Sequence, residues 1–220
     1  GQDIGILLKG DKLGARIYDS YLPLESAGLD AVIDFTRADI CVPNIHWALD
    51  HGINIIVGTT GISSHDLKLI EDKAKKGNSK VFIVPNFSIG AVLMIKLSGM
   101  IAPYFDNCEI IEMHHDQKQD APSGTSISTA ENICRSKEFN QQRLKKGESE
   151  DIEASRGGFV KGLHVHSVRL PGLLAHQKVI FGAKGQTFSL NHDSIDRAGF
   201  YPGVIMSLRM LEKLDNYTFG

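Results

Sequence analysis

The 220-residue sequence has few cysteines and no long apolar run, and each of these shortages excludes a class of protein. Cys41, Cys108 and Cys134 lie far apart and form no Cys-x-x-Cys pair, which argues against a disulfide framework or a zinc knuckle. No apolar run approaches the roughly 20 residues that a bilayer span requires, and the first residues lack a signal-peptide pattern. We therefore expect reduced thiols, no membrane partner and a cytoplasmic location.

The sequence also lacks an excess of charge of either sign. It has 24 basic and 26 acidic side chains, and the formal net charge is -2. This balance gives no electrostatic reason to expect a nucleic-acid partner, so a small-molecule partner is favoured. With 42% hydrophobic and 23% charged residues, the composition is that of a folded protein of one or two domains.

Apolar runs and helical stretches alternate from about residue 29 onward. Strands are predicted at 31–35, 53–57 and 80–84, a helix at 38–51, and a second helix from Ser63 to Gly77. This order implies parallel strands joined by right-handed crossovers, and ligands in such sheets bind beyond the carboxyl ends of the strands. The segments at those ends are Phe35 to Arg37, Gly58 to Thr60, and Pro85 to Ser88.

The pattern changes after a predicted helix at 91–104. A strand is predicted at 108–114, and a helix at 123–135 follows it. Mostly antiparallel strands are predicted between 159 and 191. The remaining predictions are a solvated loop at 143–153 and a final helix at 201–214.

The segment from Glu112 to Thr125 has the composition of an active site. It contains His114, His115 and Lys118, whose side chains can exchange protons near neutral pH. Adjacent histidines on a strand point to opposite faces, and a turn would allow Lys118 to approach either ring. The alternative is a surface loop in which the histidines have no function.

A turn with an anion-binding composition closes this segment. Ser123, Gly124 and Thr125 stand at the predicted helix start, where hydroxyl groups, unpaired N–H groups and the helix dipole attract a carboxylate. An ordinary helix cap explains the same three residues. Two loops at the sheet edge, Gly58-Thr59-Thr60-Gly61 and Asn86-Phe87-Ser88, suit a nucleotide, although ordinary turns explain them as well.

A metal site is the main competing use of the histidines. His114, His115 and Asp116 are candidate ligands, and three further histidines follow at His164, His166 and His176. The sequence has no His-x-x-x-His element to support such a site, and His164-Val165-His166 is more simply one face of a strand.

Several motifs in this order resemble the dihydrodipicolinate reductase family, the nicotinamide-dependent enzymes of the diaminopimelate route to lysine. The most specific motif is Glu-x-His-His-x-x-Lys-x-Asp-Ala-Pro-Ser-Gly-Thr at 112–125. The others are Ile33 to Arg37, Val57 to Gly61, Asn86 to Gly90, Arg156 to Gly158, and His192 to Gly203. The resemblance therefore extends from about residue 29 to the end of the chain.

The resemblance implies a role for each motif residue. His114 would be the catalytic acid/base and Lys118 the proton donor in a reduction by NADH or NADPH. The residues implied to bind the carboxylates of a cyclic dicarboxylate are His115, Ser123, Gly124 and Thr125. The residues implied to bind the cofactor are Gly58, Thr59, Thr60, Val84, Pro85, Asn86, Phe87, Arg37 and Arg197. Two alternatives stay open from the residues alone: a metal-dependent hydrolase and a catalytically silent dicarboxylate-binding fragment.

The resemblance also predicts the architecture. We expect an α/β protein with an N-terminally depleted, Rossmann-like nucleotide domain formed by residues 1–88 and 197–220. Residues 89–196 would form an α+β substrate and oligomerisation domain with a mixed sheet, and the family implies a homotetramer. Two departures from the family are expected: roughly 40 N-terminal residues carrying the Gly-rich turn are absent, and Asp116-Gln117 replaces basic residues that are common in relatives.

Overall fold

The computed structural model describes residues 1–139, 142–144 and 146–220. The chain divides into two compact units, of which one comprises residues 1–85 and 207–220 and the other residues 86–206. Each unit is built around a sheet of its own. The sequence prediction placed the divisions at residues 88 and 197, so the 3-10 turn Arg197–Phe200 and the start of the last helix lie in the second unit instead.

The first unit contains a four-stranded parallel sheet with the order β1-β2-β3-β9. Its strands are β1 (Ala31–Asp34), β2 (Asn54–Val57), β3 (Val81–Ile83) and β9 (Tyr217–Phe219). Its helices are α1 (Ile4–Leu7), α2 (Ala38–Asp50) and α3 (Ser64–Ala74), and short 3-10 turns occupy Leu22–Leu24 and Leu211–Lys213. Buried aliphatic side chains of β2, such as Ile55 and Val57, pack against Ile45 and Ile70 of the helices.

The register of this sheet brings the ends of three strands together. Asp34 of β1 pairs with Val57 of β2, which pairs with Ile83 of β3. Because the strands are parallel, the loops that follow them all leave from one edge. The three segments predicted to lie at the ligand-binding edge begin there, and the third of them continues beyond Pro85, where the first unit ends.

The second unit contains a five-stranded mixed sheet with the order β5-β6-β4-β7-β8. Its strands are β4 (Asn107–His114), β5 (Gly158–Val160), β6 (Leu163–Arg169), β7 (Ala175–Ala183) and β8 (Gln186–Ser194). Its helices are α4 (Ile89–Ile101) and α5 (Gly124–Ser136), with 3-10 turns at Ala102–Tyr104 and Arg197–Phe200. The last helix, α6 (Tyr201–Met210), begins in this unit.

Strand β4 has one covered face and one open face. Its burial alternates, so Cys108, Ile110 and Glu112 are buried and the residues between them are only partly buried. The buried face packs against α4 and α5 through residues such as Met94 and Ile133. The sheet is therefore covered on one side, as expected for strands that alternate between two environments.

The structure confirms most of the predicted elements to within a few residues. Ser63 caps α3, since its hydroxyl oxygen accepts a hydrogen bond from the backbone N–H of Asp66 at 3.0 Å. The four-residue helix α1 and strand β9 were not predicted, and the final helix ends at Met210 rather than 214. In the predicted loop at 143–153, Lys145 lies outside the described residues, and the others belong to no helix or strand. No helix in the described part of the chain is long and apolar enough to cross a membrane.

Candidate active site

Strand β4 delivers the two histidines to the end of the mixed sheet. His114 is the last residue of the strand, and its ring lies on the same face as Glu112, two residues earlier. His115 is outside the strand and half-buried, and its carbonyl oxygen accepts a hydrogen bond from the backbone N–H of Lys118 at 3.2 Å. The strand therefore positions His114, and the turn after it positions His115.

Glu112 is the centre of this site, although no role was predicted for it from the sequence. Its side chain is fully buried and contacts His114 Nδ1 at 2.5 Å. The guanidinium of Arg169 donates to both carboxylate oxygens, at 2.9 and 2.8 Å, and the backbone N–H of Ser123 donates at 3.2 Å. Arg169 stands on β6, 57 residues away, so no local pattern could have identified it.

The contacts of Glu112 keep it ionised despite its burial. Burial acts to raise the pKa of this carboxyl, but hydrogen bonds from His114 and Arg169 outweigh it and lower the pKa from 4.5 to about 2. A buried carboxylate is stable only when it is paired and hydrogen-bonded in this way. At neutral pH the centre of the site therefore carries one negative charge, which the Arg169 cation neutralises.

The sequence left open that Lys118 turns back towards a histidine ring, but in the structure its ammonium pairs with a carboxylate instead. Its side chain is only 22% exposed, and its ammonium donates to Asp120 Oδ1 at 2.6 Å. This contact holds the pKa of Asp120 below its usual range. The Lys118 ammonium is therefore bound by the Asp120 carboxylate, and Lys118 lies in the turn that follows the histidines.

Helix α5 begins beside this cluster. Ser123 is 2% exposed and caps the helix, since its hydroxyl oxygen accepts from the backbone N–H of Ser126 at 3.2 Å. Its hydroxyl is therefore used inside the protein, whereas Gly124 is exposed and Thr125 half-buried. The first N–H groups of a helix have no acceptor within the helix, so the N–H groups of Gly124 and Thr125 suit an anion.

Asn86 joins the predicted cofactor segment to the predicted substrate segment. Its side-chain amide nitrogen lies 3.4 Å from the hydroxyl of Thr125, and its amide oxygen accepts from the backbone N–H of Ser88 at 2.8 Å. Phe87 is buried beside it, with 6% exposure. Arg197 also belongs to the second unit, where it is exposed at the start of a 3-10 turn.

The other predicted cofactor residues lie at the parallel-strand edge of the first unit. Buried Asp34 organises this edge, because it accepts from the Thr59 hydroxyl at 2.6 Å and from the Thr36 backbone N–H at 3.0 Å. Burial would raise the pKa of Asp34, but these hydrogen bonds lower it. Five further predicted residues lie at this edge. Arg37, Thr60 and Pro85 are exposed, Gly58 is half-buried and Val84 is buried.

The donor set at this edge fits a nicotinamide nucleotide. Gly58 allows close approach of the backbone, Thr60 offers an exposed hydroxyl, and Arg37 offers a cation that is held by Asp39 at 2.6 Å. No group of three or more His, Cys, Asp and Glu side chains among the described residues is arranged to hold a metal ion. The geometry therefore gives no support to the metal-dependent alternative.

Comparison with known proteins decides the family. A family model described as "Dihydrodipicolinate reductase, N-terminus" matches residues 1–87, and one described as "Dihydrodipicolinate reductase, C-terminus" matches residues 90–220. The chain belongs to the dihydrodipicolinate reductase family. Proteins named 4-hydroxy-tetrahydrodipicolinate reductase from Bacillus anthracis and Bacillus thuringiensis strain Al Hakam are each 43% identical to it over 221 residues, covering all of this chain and 83% of theirs.

Solved structures agree with this assignment. A dipicolinate-bound dihydrodipicolinate reductase from Paenisporosarcina sp. TG-14 matches with a TM-score of 0.82 and 38% identity, covering all of this chain and 85% of that one. An amine dehydrogenase from Mycobacterium smegmatis matches with a TM-score of 0.57 at 12% identity, which shows a shared fold alone.

These matches confirm several predictions made from the sequence. The chain is an oxidoreductase of the Rossmann-like class with a second, mixed-sheet unit, and its cofactor is NADH or NADPH. Its place in lysine and diaminopimelate biosynthesis follows from the names of its relatives. None of the matches supports a metal hydrolase or a silent binding protein.

Proposed function

We propose that the end of strand β4 is where this protein reduces 4-hydroxy-tetrahydrodipicolinate to tetrahydrodipicolinate. The observation that carries the proposal is a single hydrogen-bonded cluster in which Glu112 contacts both His114 and the backbone N–H of Ser123 at the start of α5. An acid/base group and an anion site are thereby held side by side. The dipicolinate bound to the relative from Paenisporosarcina sp. TG-14, itself a cyclic dicarboxylate, supports the substrate class.

The reaction requires one hydride and one proton. NADH or NADPH supplies the hydride when bound. The 4-hydroxyl group of the substrate combines with the added proton and leaves as water. Lys118 is the proposed proton donor, since an ammonium group in the turn after the histidines has a proton to give. His114 is the proposed acid/base, because an imidazole ring can accept a proton on one nitrogen and return it.

The carboxylates of the substrate are proposed to bind at the start of α5. Gly124 and Thr125 contribute backbone N–H groups and a hydroxyl, His115 contributes its ring, and Ser123 contributes through its cap, which fixes the first turn. The exposed position of Gly124 supports this, because a carboxylate needs room to approach the backbone. A Cβ atom added at Gly124 would meet nothing within 4 Å.

The cofactor is proposed to bind through the strand-end loops. Asp34 fixes two of these loops, which supports their use as a preformed site. The nucleotide-binding residues in this proposal are Gly58, Thr59, Thr60, Val84, Pro85, Asn86, Phe87, Arg37 and Arg197. All of them lie in the proposed nucleotide domain of residues 1–88 and 197–220, and residues 89–196 form the proposed substrate domain.

The proton-transfer roles are tested by His114→Gln and Lys118→Met. General acid–base groups contribute about 10²- to 10⁴-fold to a rate, so kcat should fall by that order in each variant while the Kd for NADH stays near normal. Lys184→Met is the matched control, because Lys184 is exposed in the turn between β7 and β8, and its kcat should match the parent. Near-normal kcat in both His114→Gln and Lys118→Met would overturn the proposal.

We further propose that the protein acts as a homotetramer in the cytoplasm. The open face of the mixed sheet supports assembly, because Ile111, Met113 and Ile180 on it are only partly buried. None of Cys41, Cys108 and Cys134 forms a disulfide with another described residue, which supports a reducing compartment. Light scattering should give about four times the 24.1 kDa chain mass, and a monomer mass at micromolar concentration would contradict the assembly.

A further inference from the structure

Glu112 connects three parts of the proposed site through one side chain. It is fully buried on the helix-covered face of β4, and its two oxygens accept from His114, Arg169 and the backbone N–H of Ser123. These donors come from the end of β4, the end of β6 and the start of α5. A carboxylate in this position determines how its neighbours are oriented as well as how they are charged.

The first consequence concerns the tautomer of His114. An ionised carboxylate only accepts hydrogen bonds, and the low pKa of Glu112 means that it has no proton to offer at neutral pH. The contact of 2.5 Å therefore requires Nδ1 of His114 to carry a proton. In the neutral ring, Nε2 is then the unprotonated nitrogen, which can accept or return a proton at the substrate.

The second consequence concerns the distance between His114 and the anion site. The backbone N–H of Ser123 donates to Glu112 Oε1, while His114 Nδ1 contacts Glu112 Oε2. One carboxylate thus links the acid/base ring to the first turn of α5. The position of the ring relative to the carboxylate-binding turn is fixed by two hydrogen bonds to one rigid group.

We propose that Glu112 is a positioning residue for the reduction: it holds His114 as the Nδ1-protonated tautomer and at a fixed distance from the start of α5. The inference rests on the proposed acid/base role of His114. Arg169 compensates the charge that this arrangement buries, and it also donates to the carbonyl oxygen of Asp120 at 2.6 Å.

Glu112→Gln tests the inference because the amide can accept hydrogen bonds on only one side. The backbone N–H of Ser123 is a fixed donor, so the amide oxygen should take the position of Oε1 and accept from it. The amide NH₂ group then occupies the position of Oε2 and donates to His114 Nδ1. His114 must in consequence change to the Nε2-protonated tautomer, which places the proton on the wrong nitrogen.

The experiment combines kinetics with ¹⁵N NMR of the full-length protein. In Glu112→Gln we expect kcat to fall about 100-fold or more with little change in KM for NADH, the size that acid–base catalysis contributes. The ¹⁵N signals of the His114 ring are assigned by their absence from the spectrum of His114→Gln. In Glu112→Gln the chemical shift of a protonated ring nitrogen should move from Nδ1 to Nε2, and that of an unprotonated nitrogen from Nε2 to Nδ1. A ring that keeps its parent tautomer in Glu112→Gln would overturn the inference.

A second variant separates positioning from simple charge pairing. Glu112→Gln/Arg169→Met removes both charges, so the fold should be recovered if Glu112→Gln alone is poorly folded. The backbone N–H of Ser123 still orients the amide, and kcat should stay about 100-fold low with the changed tautomer. If kcat returned to the parent value in the double variant, Glu112 would be only a charge partner and the inference would fail.

The matched control lies on the opposite face of the same strand. Glu109 also accepts from an arginine and contacts a histidine, with Arg156 at 2.7 Å and His166 Nε2 at 2.8 Å, but it lies outside the proposed site. Glu109→Gln should therefore keep the parent kcat. Failure of the function itself would look different: near-normal kcat in His114→Gln would remove the acid/base role even if Glu112→Gln changed the tautomer.

Discussion

Replacing Arg169 with methionine removes the cation that neutralises the fully buried Glu112 carboxylate. Methionine keeps the apolar stem of the side chain but loses the charge and the two hydrogen bonds to Glu112, at 2.9 and 2.8 Å. It also loses the hydrogen bonds to the carbonyl oxygens of Val168 and Asp120, at 2.8 and 2.6 Å. The carboxylate keeps its contacts with His114 and the Ser123 backbone. The variant therefore measures what the whole Arg169 guanidinium contributes to the free energy of unfolding, and its pH dependence reports the part that comes from the ion pair with Glu112.

The expected cost follows from the pKa of Glu112. Lowering this pKa from 4.5 to about 2 on folding corresponds to about 3 kcal/mol of stability at neutral pH. Breaking a buried ion pair by removing one partner typically costs about 3–5 kcal/mol, because an unpaired charge stays in the interior. We therefore expect Arg169→Met to lower the free energy of unfolding by about 3 kcal/mol or more at pH 7.

The pH dependence has a definite sign. Because the folded-state pKa of Glu112 is depressed, its stabilising contribution is complete above about pH 4.5 and is lost as pH falls towards 2. Below about pH 4.5 the Glu112 carboxyl takes up a proton in the unfolded chain and in the variant that lacks the cation, so the difference between parent and variant should shrink by about 2 kcal/mol between pH 7 and pH 3.

Urea unfolding followed by circular dichroism at constant protein concentration measures both quantities. Arg156→Met is the control, because the Arg156–Glu109 pair is 38% and 33% exposed and should contribute about 1 kcal/mol or less. The reasoning is refuted if Arg169→Met costs no more than Arg156→Met at pH 7, or if its cost does not change down to pH 3.

Two further predictions concern the strand-end loop and the start of α6. Asp34→Asn places an amide NH₂ among the donors of Thr36 and Thr59, so the Kd for NADH should rise about tenfold in a fluorescence titration; an unchanged Kd would show that Asp34 does not shape the nucleotide site. Gly203→Ala puts a Cβ atom 2.0 Å from the backbone oxygen of Phe87 and should lower the free energy of unfolding in urea by about 1–3 kcal/mol. In the control Gly199→Ala the added Cβ atom meets nothing within 4 Å, so the free energy of unfolding should be almost unchanged. Equal losses in the two variants would contradict the close approach of Gly203 to Phe87.

The sequence predicts the elements of this fold well because each carries a local signal. Ser63, three residues before Asp66, marks the start of α3, and the β-branched run that begins at Ala31 marks β1. Strand β9 has only three residues, and it exists because β3 offers an edge to pair with. That pairing depends on tertiary contact and leaves no periodic pattern in the sequence.

The candidate site likewise contains residues that local sequence signals predicted and one residue that only tertiary contact brings into it. His114 and the cap at Ser123 were predicted from neighbouring residues, and the structure places both in one cluster. Arg169 was missed because its partner Glu112 is 57 residues distant and the register of β4 against β6 brings them together. A charged residue on the buried face of an apolar strand was the available signal, since Glu112 lies two residues after Ile110 and therefore on the same face of β4.

The buried carboxylate of Glu112 also favours one alignment of β4 against its neighbouring strands. If β4 paired one residue out of register, Glu112 would turn to the open face and Ile111 towards the helices. Arg169 would then lose its partner, and the misaligned sheet would be disfavoured by the several kcal/mol that an unpaired interior charge costs. The pair of Glu112 and Arg169 therefore favours the observed strand alignment, and the same alignment places His114, the proposed acid/base, beside Glu112.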